Sequence, residues 1–106
     1  MTARKILSIF GCFVGRSNGR WIAFTDHGSY SAEYIWDIVS QIVPEPPEIL
    51  SADAIREWAK RCVAACSNGL PEPKDLAYAA FAAYAIDPPD EFIECFISAW
   101  DDDSQR

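Results

Sequence analysis

The chain is poor in the residues that hold metals or build disulfide frameworks. It has one histidine, His27, and four cysteines, Cys12, Cys62, Cys66 and Cys95. Cys62 and Cys66 lie one helical turn apart, whereas a zinc site uses a tighter cysteine pair together with further ligands. A disulfide framework is typical of secreted, loop-rich chains. We therefore expect no metal and no other cofactor, and we interpret the cysteines as reduced thiols in an apolar core.

No segment has the pattern of a secretion signal or of a membrane span. The apolar run at residues 6–14 is interrupted by a serine, a glycine and a cysteine, and no cleavage pattern follows it. The apolar run at residues 76–86 reaches about half of the roughly 20 residues that a bilayer requires. These observations predict a cytoplasmic protein.

No motif in the chain names a reaction. Asp26, His27 and Ser29 have the side chains of a hydrolytic triad, but triad members meet from separate elements and not from neighbouring positions of one turn. The regularly spaced glycines of the first 19 residues lack the lysine of a phosphate-binding loop. We predict that the protein is not an enzyme. A small hydrolase that uses His27 with Asp26 or a distant thiol is an alternative.

Hydrophobic residues make up 50% of the 106 residues, which suits one packed domain over residues 1–106. The alanine-rich run at residues 76–86 is apolar on all sides, and such a helix must be surrounded by other elements. We place it at the centre of an all-α bundle of four to five helices. Helical spacing and proline breaks predict helices at residues 31–43, 51–67, 73–86 and 89–100, followed by an acidic tail at 101–106. The predicted N-caps of the first, second and fourth of these helices are Ser31, Ser51 and Asp87.

The N-terminal residues 1–28 allow two interpretations. In the first, a helix starts after Thr2 and stops at Gly15, because the apolar residues between them separate onto one face at a 3.6-residue period. In the second, Asn18 and Gly19 form the turn of a β-hairpin between two apolar strands. The period favours the helix. The hairpin gives the alternative fold class, α+β with an N-terminal β-hairpin.

Negative charge is concentrated at the C-terminal end of the chain. The net charge is −7, yet residues 1–69 hold seven acidic and seven basic side chains. The excess therefore lies within residues 70–106. An acidic surface repels phosphate backbones and anionic membranes, so we expect no direct nucleic acid or membrane partner. A small basic cluster near Trp21 consists of Arg4, Lys5, Arg16 and Arg20. It is too small to change that expectation.

The acidic residues have two interpretations. One is a solvated surface that keeps a hydrophobic domain, such as a helical adaptor or an enzyme subunit, in solution. The other is a partner-binding surface that attracts a basic protein electrostatically. In that interpretation Trp36 is an aromatic anchor within or beside the surface, and the acids that form it are Asp87, Asp90, Glu91, Glu94, Asp101, Asp102 and Asp103.

The chain combines a compact acidic domain, an acid-rich stretch at residues 87–94, an acidic tail at 101–103 and the lack of a reaction motif. In these features it resembles a bacterial toxin immunity protein. The resemblance is to the cytosolic inhibitors of cationic toxin nucleases, such as those of contact-dependent growth inhibition. It implies a stoichiometric inhibitor whose acidic side chains pair with the basic residues that grip nucleic acid in the toxin. It also implies that the inhibitor blocks that site sterically.

Overall fold

The computed structural model describes the backbone of residues 1–104 and the side chains of residues 1–100. Over that range the chain forms an α+β fold, so the all-α assignment is wrong and the alternative with an N-terminal hairpin fits. The helices are α1 (Ala3–Ile9), α2 (Ile35–Ile42), α3 (Ala52–Ala65), α4 (Pro73–Ala82) and α5 (Asp90–Ser104). The strands are β1 (Phe13–Ser17), β2 (Arg20–Thr25) and β3 (Gly28–Ala32), in the sheet order β1-β2-β3.

The N-terminal segment contains both elements that its sequence suggested. The Thr2 hydroxyl accepts a hydrogen bond from the Lys5 amide at 3.1 Å, which caps α1 as predicted. The helix ends at Ile9, and Gly11, which follows the C-cap residue Phe10, has a left-handed φ of 81°. There the Cys12 amide donates to the Leu7 carbonyl at 3.0 Å, as in a Schellman motif. The helix therefore stops well before the predicted position, and the next residues are free to form β1.

The sheet is wider than the hairpin that the sequence offered. Asn18 and Gly19 have φ values of 52° and 78°, the backbone that a two-residue hairpin turn needs. A third strand then pairs with β2, and Ser31, predicted to cap a helix, lies opposite Ile22 in that pairing. The following helix begins at Ile35 and not at residue 31. The serine was misassigned because a strand residue and a helix cap share the same extended backbone.

The two faces of the sheet differ in their surroundings. Ala23 and Ala32 point to the core side and are buried. On the opposite face Phe13 and Phe24 are direct cross-strand partners, and they are 66% and 55% exposed. Their pairing stabilises the sheet locally, since aromatic cross-strand pairs contribute about 0.2–1 kcal/mol.

The helical core is built around Trp58 of α3. The centroid of its ring lies 4.9 Å from that of Phe81 on α4 and 5.8 Å from that of Phe96 on α5, both in edge-to-face geometry. The indole Nε1 donates to the Pro44 carbonyl at 2.9 Å, so the buried ring also satisfies its one polar group. Ser51 caps α3 as predicted, accepting from the Ala54 amide at 3.3 Å.

The last two helices differ from their predicted bounds. The alanine-rich helix ends at Ala82 and not at residue 86, and Ala85 has a left-handed φ of 56°. Helix α5 continues through Ser104, so the backbone of residues 101–104, predicted as a tail, is helical. Residues 105–106 lie outside the described chain. Within residues 1–104, no helix combines the length and the apolar character that crossing a bilayer requires.

A polar latch joins the N-terminal half of the fold to the loop after α3. The Asp26 amide donates to the Ser67 hydroxyl at 3.0 Å, and the Asn68 amide donates to the Asp26 carboxylate at 2.8 Å. The Asn68 side-chain amide donates to the Gly11 carbonyl at 2.7 Å, and the Ser67 amide donates to the Phe10 carbonyl at 2.9 Å. These four bonds hold the β2–β3 turn and the end of α1 against one loop.

Candidate functional site

Three of the predicted acids surround one exposed aromatic side chain, Tyr78. Asp87 lines a hollow of about 390 Å³ on one side of Tyr78, together with Met1. Asp90 and Glu94 line a second hollow of about 340 Å³ on its other side. Tyr78 is 39% exposed and lines both hollows. We call Tyr78, Asp87, Asp90 and Glu94 the acidic patch.

Local structure explains how these four residues meet. Tyr78 lies near the middle of α4, which packs against α5. Pro88 and Pro89 interrupt the chain between the two helices, and α5 then starts at Asp90. Asp87 was predicted to cap this helix, but the two prolines separate it from the first helical residue. It instead borders the hollow that Tyr78 shares.

The carboxylates of the acidic patch have no cationic partner within the described side chains. The ion pairs of residues 1–100 join Arg56 to Asp53 at 3.5 Å and Lys60 to Glu57 at 3.4 Å, both on α3. Lys74 lines the second hollow without reaching ion-pair distance of its acids. The negative potential of the patch therefore remains available to a cation outside the protein.

Helix electrostatics account for only some of the acids. Asp90 and Glu91 lie in the first turn of α5, where the helix dipole stabilises negative charge. Glu94 lies one turn further on, beyond the reach of that effect, and Asp87 precedes the helix. The positions of Glu94 and Asp87 therefore require another explanation.

The remaining predicted acids lie outside the acidic patch. Glu91 is exposed but lines neither hollow. Asp101, Asp102 and Asp103 belong to the last turns of α5. At 1.5 Å of rise per residue, their backbone lies roughly 10–14 Å further along the helix than Glu94.

Trp36 lies in a different groove from the acids with which it was predicted to act. It is 48% exposed and lines a largely apolar groove of about 440 Å³. We call this the tryptophan groove, and its walls are Thr2, Ala3, Arg4, Trp21, Ile35 and Trp36. The guanidinium carbons of Arg4 and Arg16 lie 5.1 and 5.0 Å from the centroid of the Trp21 ring. The small basic cluster of the sequence is thus partly assembled here, and none of the predicted acids with a described side chain lines the groove.

The acidic patch and the tryptophan groove are neighbours on the surface. Met1 lines the Asp87 hollow and the next residue, Thr2, lines the tryptophan groove. Helix α1 links the two regions because it packs against both α4 and α2. An acidic region with an exposed tyrosine therefore adjoins a basic region with an exposed tryptophan at residues 1–2, and we call the two regions together the face.

Two polar side chains of the turn around His27 are engaged in hydrogen bonds to backbone groups. Its hollow of about 260 Å³ is also lined by Thr25, Tyr30 and Arg61. The Thr25 hydroxyl donates to the Gly28 carbonyl at 2.9 Å. The Asp26 carboxylate is held by the Asn68 amide in the polar latch. The arrangement is that of a turn, as one interpretation of the sequence predicted.

The cysteines of the described chain are free thiols, and burial keeps three of them protonated. Burial raises the pKa of Cys12 from 9.0 to about 11 and the pKa of Cys66 to about 12. Burial also raises the pKa of Cys62, and the neighbouring Cys66 adds to that increase. Because the thiolate is the nucleophilic form, these three cysteines are poor nucleophiles.

Tyr78 is the site residue that the sequence analysis missed. It lies in the alanine-rich run at residues 76–86, whose composition predicts a helix buried on all sides. The signal against that assignment was Lys74, which lies one turn earlier on the same face of α4 and is exposed. A lysine at that position marks the face that contacts solvent.

Comparisons with models of protein families, with curated proteins and with solved structures find no match to this chain.

Proposed function

We propose that the protein is a stoichiometric, protein-binding inhibitor of the immunity type, which neutralises a basic toxin nuclease by covering its nucleic-acid site. The observation that carries the proposal is the group of carboxylates around the exposed ring of Tyr78, none of which has a cationic partner among the described side chains. A nuclease grips phosphate groups with lysine and arginine side chains. Those same cations complement the acidic patch.

The patch supplies two different contributions to binding. Its charge steers a cationic partner and raises the association rate by roughly 10–10³-fold at low salt. Tyr78 supplies a rigid aromatic surface of the kind that dominates binding energy at the centre of interfaces. Charge alone gives a weak, salt-sensitive encounter, so the aromatic ring accounts for the lifetime of the complex.

The more distant acids extend the proposed surface. Glu91 lies on the same helix, and residues 101–103 carry three further carboxylates along it. A basic nuclease surface that spans several phosphate sites has cations spaced over a comparable length. The proposal also places the protein in the cytoplasm, where its free thiols stay reduced and where a nuclease toxin meets its substrate.

Calorimetric titration against the nuclease toxin encoded in the neighbouring reading frame tests this function. We expect a one-to-one complex that weakens as salt rises and that abolishes nuclease activity. The triple variant Asp87→Asn, Asp90→Asn, Glu94→Gln should bind at least about tenfold more weakly and lose most of the salt dependence. The control variant Glu45→Gln, Glu48→Gln, Asp53→Asn has the same net charge change outside the patch and should bind nearly as the natural protein does.

Equal weakening by the two triple variants would assign the effect to net charge and would contradict a specific acidic surface. Absence of any complex with the toxin would overturn the inhibitor proposal. Loss of inhibition in His27→Ala would do the same, since His27 has no part in the proposed contact.

A further inference from the structure

We propose that the acidic patch and the tryptophan groove together form a self-complementary interface, through which two copies of this chain make a two-fold symmetric dimer. The proposal goes beyond the inhibitor function and does not depend on which cationic protein the acidic patch binds.

The first argument is exposure of large apolar side chains on one face. Met1, Tyr78 and Trp36 line the two hollows and the groove, and all three are exposed. Half-buried Trp21 and Ile35 join them in the groove wall. Contiguous apolar surface rimmed by charge typically marks an interaction site, and tryptophan and tyrosine are the residues most enriched there.

The second argument is charge. Arg4 and Arg16 lie against Trp21, and within residues 1–100 neither takes part in an ion pair. Among the described side chains, no acidic residue lies in the walls of the tryptophan groove. The acidic patch has the opposite composition, with three carboxylates, and one lysine, Lys74, lies beside it in the wall of the second hollow. Each region is therefore the electrostatic complement of the other.

The third argument is the relative position of the two regions. They adjoin at Met1 and Thr2. A two-fold axis through that junction, perpendicular to the face, carries the acidic patch of one copy over the tryptophan groove of its partner. The same rotation brings the partner's acidic patch over the first groove. Such a contact is made twice and closes on itself, as most homodimer interfaces do.

The choice of a second copy over other occupants follows from this symmetry. A nucleic acid complements the arginines beside the groove but is repelled by the adjoining carboxylates and by a net charge of −7. A second copy complements both regions at once. It also uses the exposed tyrosine and tryptophan as opposed aromatic anchors. The acidic patch then has two competing occupants, a second copy and a cationic partner.

Sedimentation velocity of the full chain over a concentration series tests the dimer. We expect a monomer–dimer equilibrium that shifts to monomer as salt rises. Arg4→Glu and Glu94→Arg each create like-charge contacts at both halves of the interface. Each variant alone should dissociate at concentrations at least about tenfold higher than the natural protein. Both positions are exposed on helices, so we expect both variants to fold, and circular dichroism checks this expectation.

Mixing the two variants gives the decisive result. In the mixed dimer, Glu at position 4 of one copy meets Arg at position 94 of the other, and the second contact pairs the natural residues. An equimolar mixture should therefore dimerise nearly as well as the natural protein, although neither variant does so alone. The matched control pair, Arg56→Glu and Glu48→Arg, lies outside the face and should dimerise both alone and mixed.

Four results would overturn the proposal. The first is that the natural protein is monomeric at every concentration, and the second is that the mixture of charge variants stays monomeric. The third is assembly past the dimer, which indicates a head-to-tail contact. Binding of a single-stranded oligonucleotide by a monomer, lost in Trp36→Ala, would show a different occupant of the groove and would count equally against it.

Discussion

A Cβ atom at position 11 would lie 1.7 Å from the carbonyl oxygen of Ser67. Gly11 thus has two reasons to be glycine. The loop that contains Ser67, which we call the latch loop, approaches it closely, and the φ of Gly11 is left-handed at 81°. A left-handed backbone costs a non-glycine residue about 1–2 kcal/mol, and overpacking typically adds about 1–3 kcal/mol. We predict that Gly11→Ala lowers the free energy of unfolding by about 2–5 kcal/mol, measured by urea titration.

Gly15 provides the matched control for that measurement. Nothing lies within 4 Å of a Cβ built on it, and its φ is not left-handed. Gly15→Ala should therefore change stability by less than about 1 kcal/mol. Similar losses in the two variants would show that the latch loop does not press on position 11.

Trp58 should be the most sensitive position of the helical core. Its ring contacts Phe81 and Phe96, and its Nε1 donates to the Pro44 carbonyl. Trp58→Ala should cost about 3–5 kcal/mol through the cavity it leaves. Trp58→Phe keeps most of the ring volume but leaves the carbonyl without its donor. It should cost less, about 1–3 kcal/mol.

Thermal unfolding followed by far-ultraviolet circular dichroism measures both tryptophan variants. The order of the two losses is the test, because it separates ring volume from the hydrogen bond. A phenylalanine variant as unstable as the alanine variant would mean that the carbonyl contact dominates. A phenylalanine variant as stable as the natural protein would mean that the contact contributes nothing.

Buried thiols should make the fold sensitive to alkali. The folded pKa values of Cys12 and Cys66 are raised to about 11 and about 12, from 9.0. As pH rises above about 9, the unfolded chain releases these protons while the folded chain retains them. Stability is therefore full below that pH and falls above it, by as much as about 1.4 kcal/mol per pH unit for each thiol.

Urea midpoints of the reduced protein at about pH 8 and about pH 10 measure this loss. Cys12→Ala removes one of the titrating groups, so the midpoint should fall less steeply with pH in this variant than in the natural protein. An unchanged slope in Cys12→Ala would show that this thiol does not contribute to the alkaline sensitivity.

Tyr78→Ala should separate binding from folding. The ring is partly exposed between the two hollows, so its removal should change stability by about 0.5 kcal/mol or less. Loss of an interface anchor typically costs about 2 kcal/mol or more, which weakens binding of the cationic partner about 30-fold. Ile49→Ala, which removes an exposed side chain outside the face, should leave the affinity unchanged. Equal affinities for all three proteins would remove Tyr78 from the interface.

Local signals in the sequence predicted some parts of the fold well. Thr2 and Ser51 were recognised as helix caps because a cap depends on a few neighbouring residues. The strand β3 was missed because its pairing with β2 is a tertiary contact, and Ser31 fits a cap as well as a strand. Gly11 follows α1 in a local Schellman motif, but it also contacts a loop more than fifty positions away in the sequence, and no local period reveals that contact.

The candidate site was predictable in charge but not in geometry. Asp87, Asp90 and Glu94 were recognised because an excess of acids is a property of the sequence itself. Trp36 was predicted to lie within or beside their surface, and the packing of α1 against α2 places it in the adjoining tryptophan groove, beside Arg4. Tyr78 was missed because the apolar composition of its helix outweighed the exposed lysine one turn before it.

The polar latch also dictates an order of events while the chain is being synthesised. Helix α1 and the hairpin leave the ribosome long before Asn68, whose side chain binds the Gly11 carbonyl and whose amide binds Asp26. Until that residue emerges, the Asp26 carboxylate and the Gly11 carbonyl have only water in place of their latch partners. The N-terminal third of the nascent chain therefore cannot form the polar latch until α3 and Asn68 have been synthesised. On a ribosome stalled before codon 68, the hairpin lacks the hydrogen bonds that Asn68 supplies.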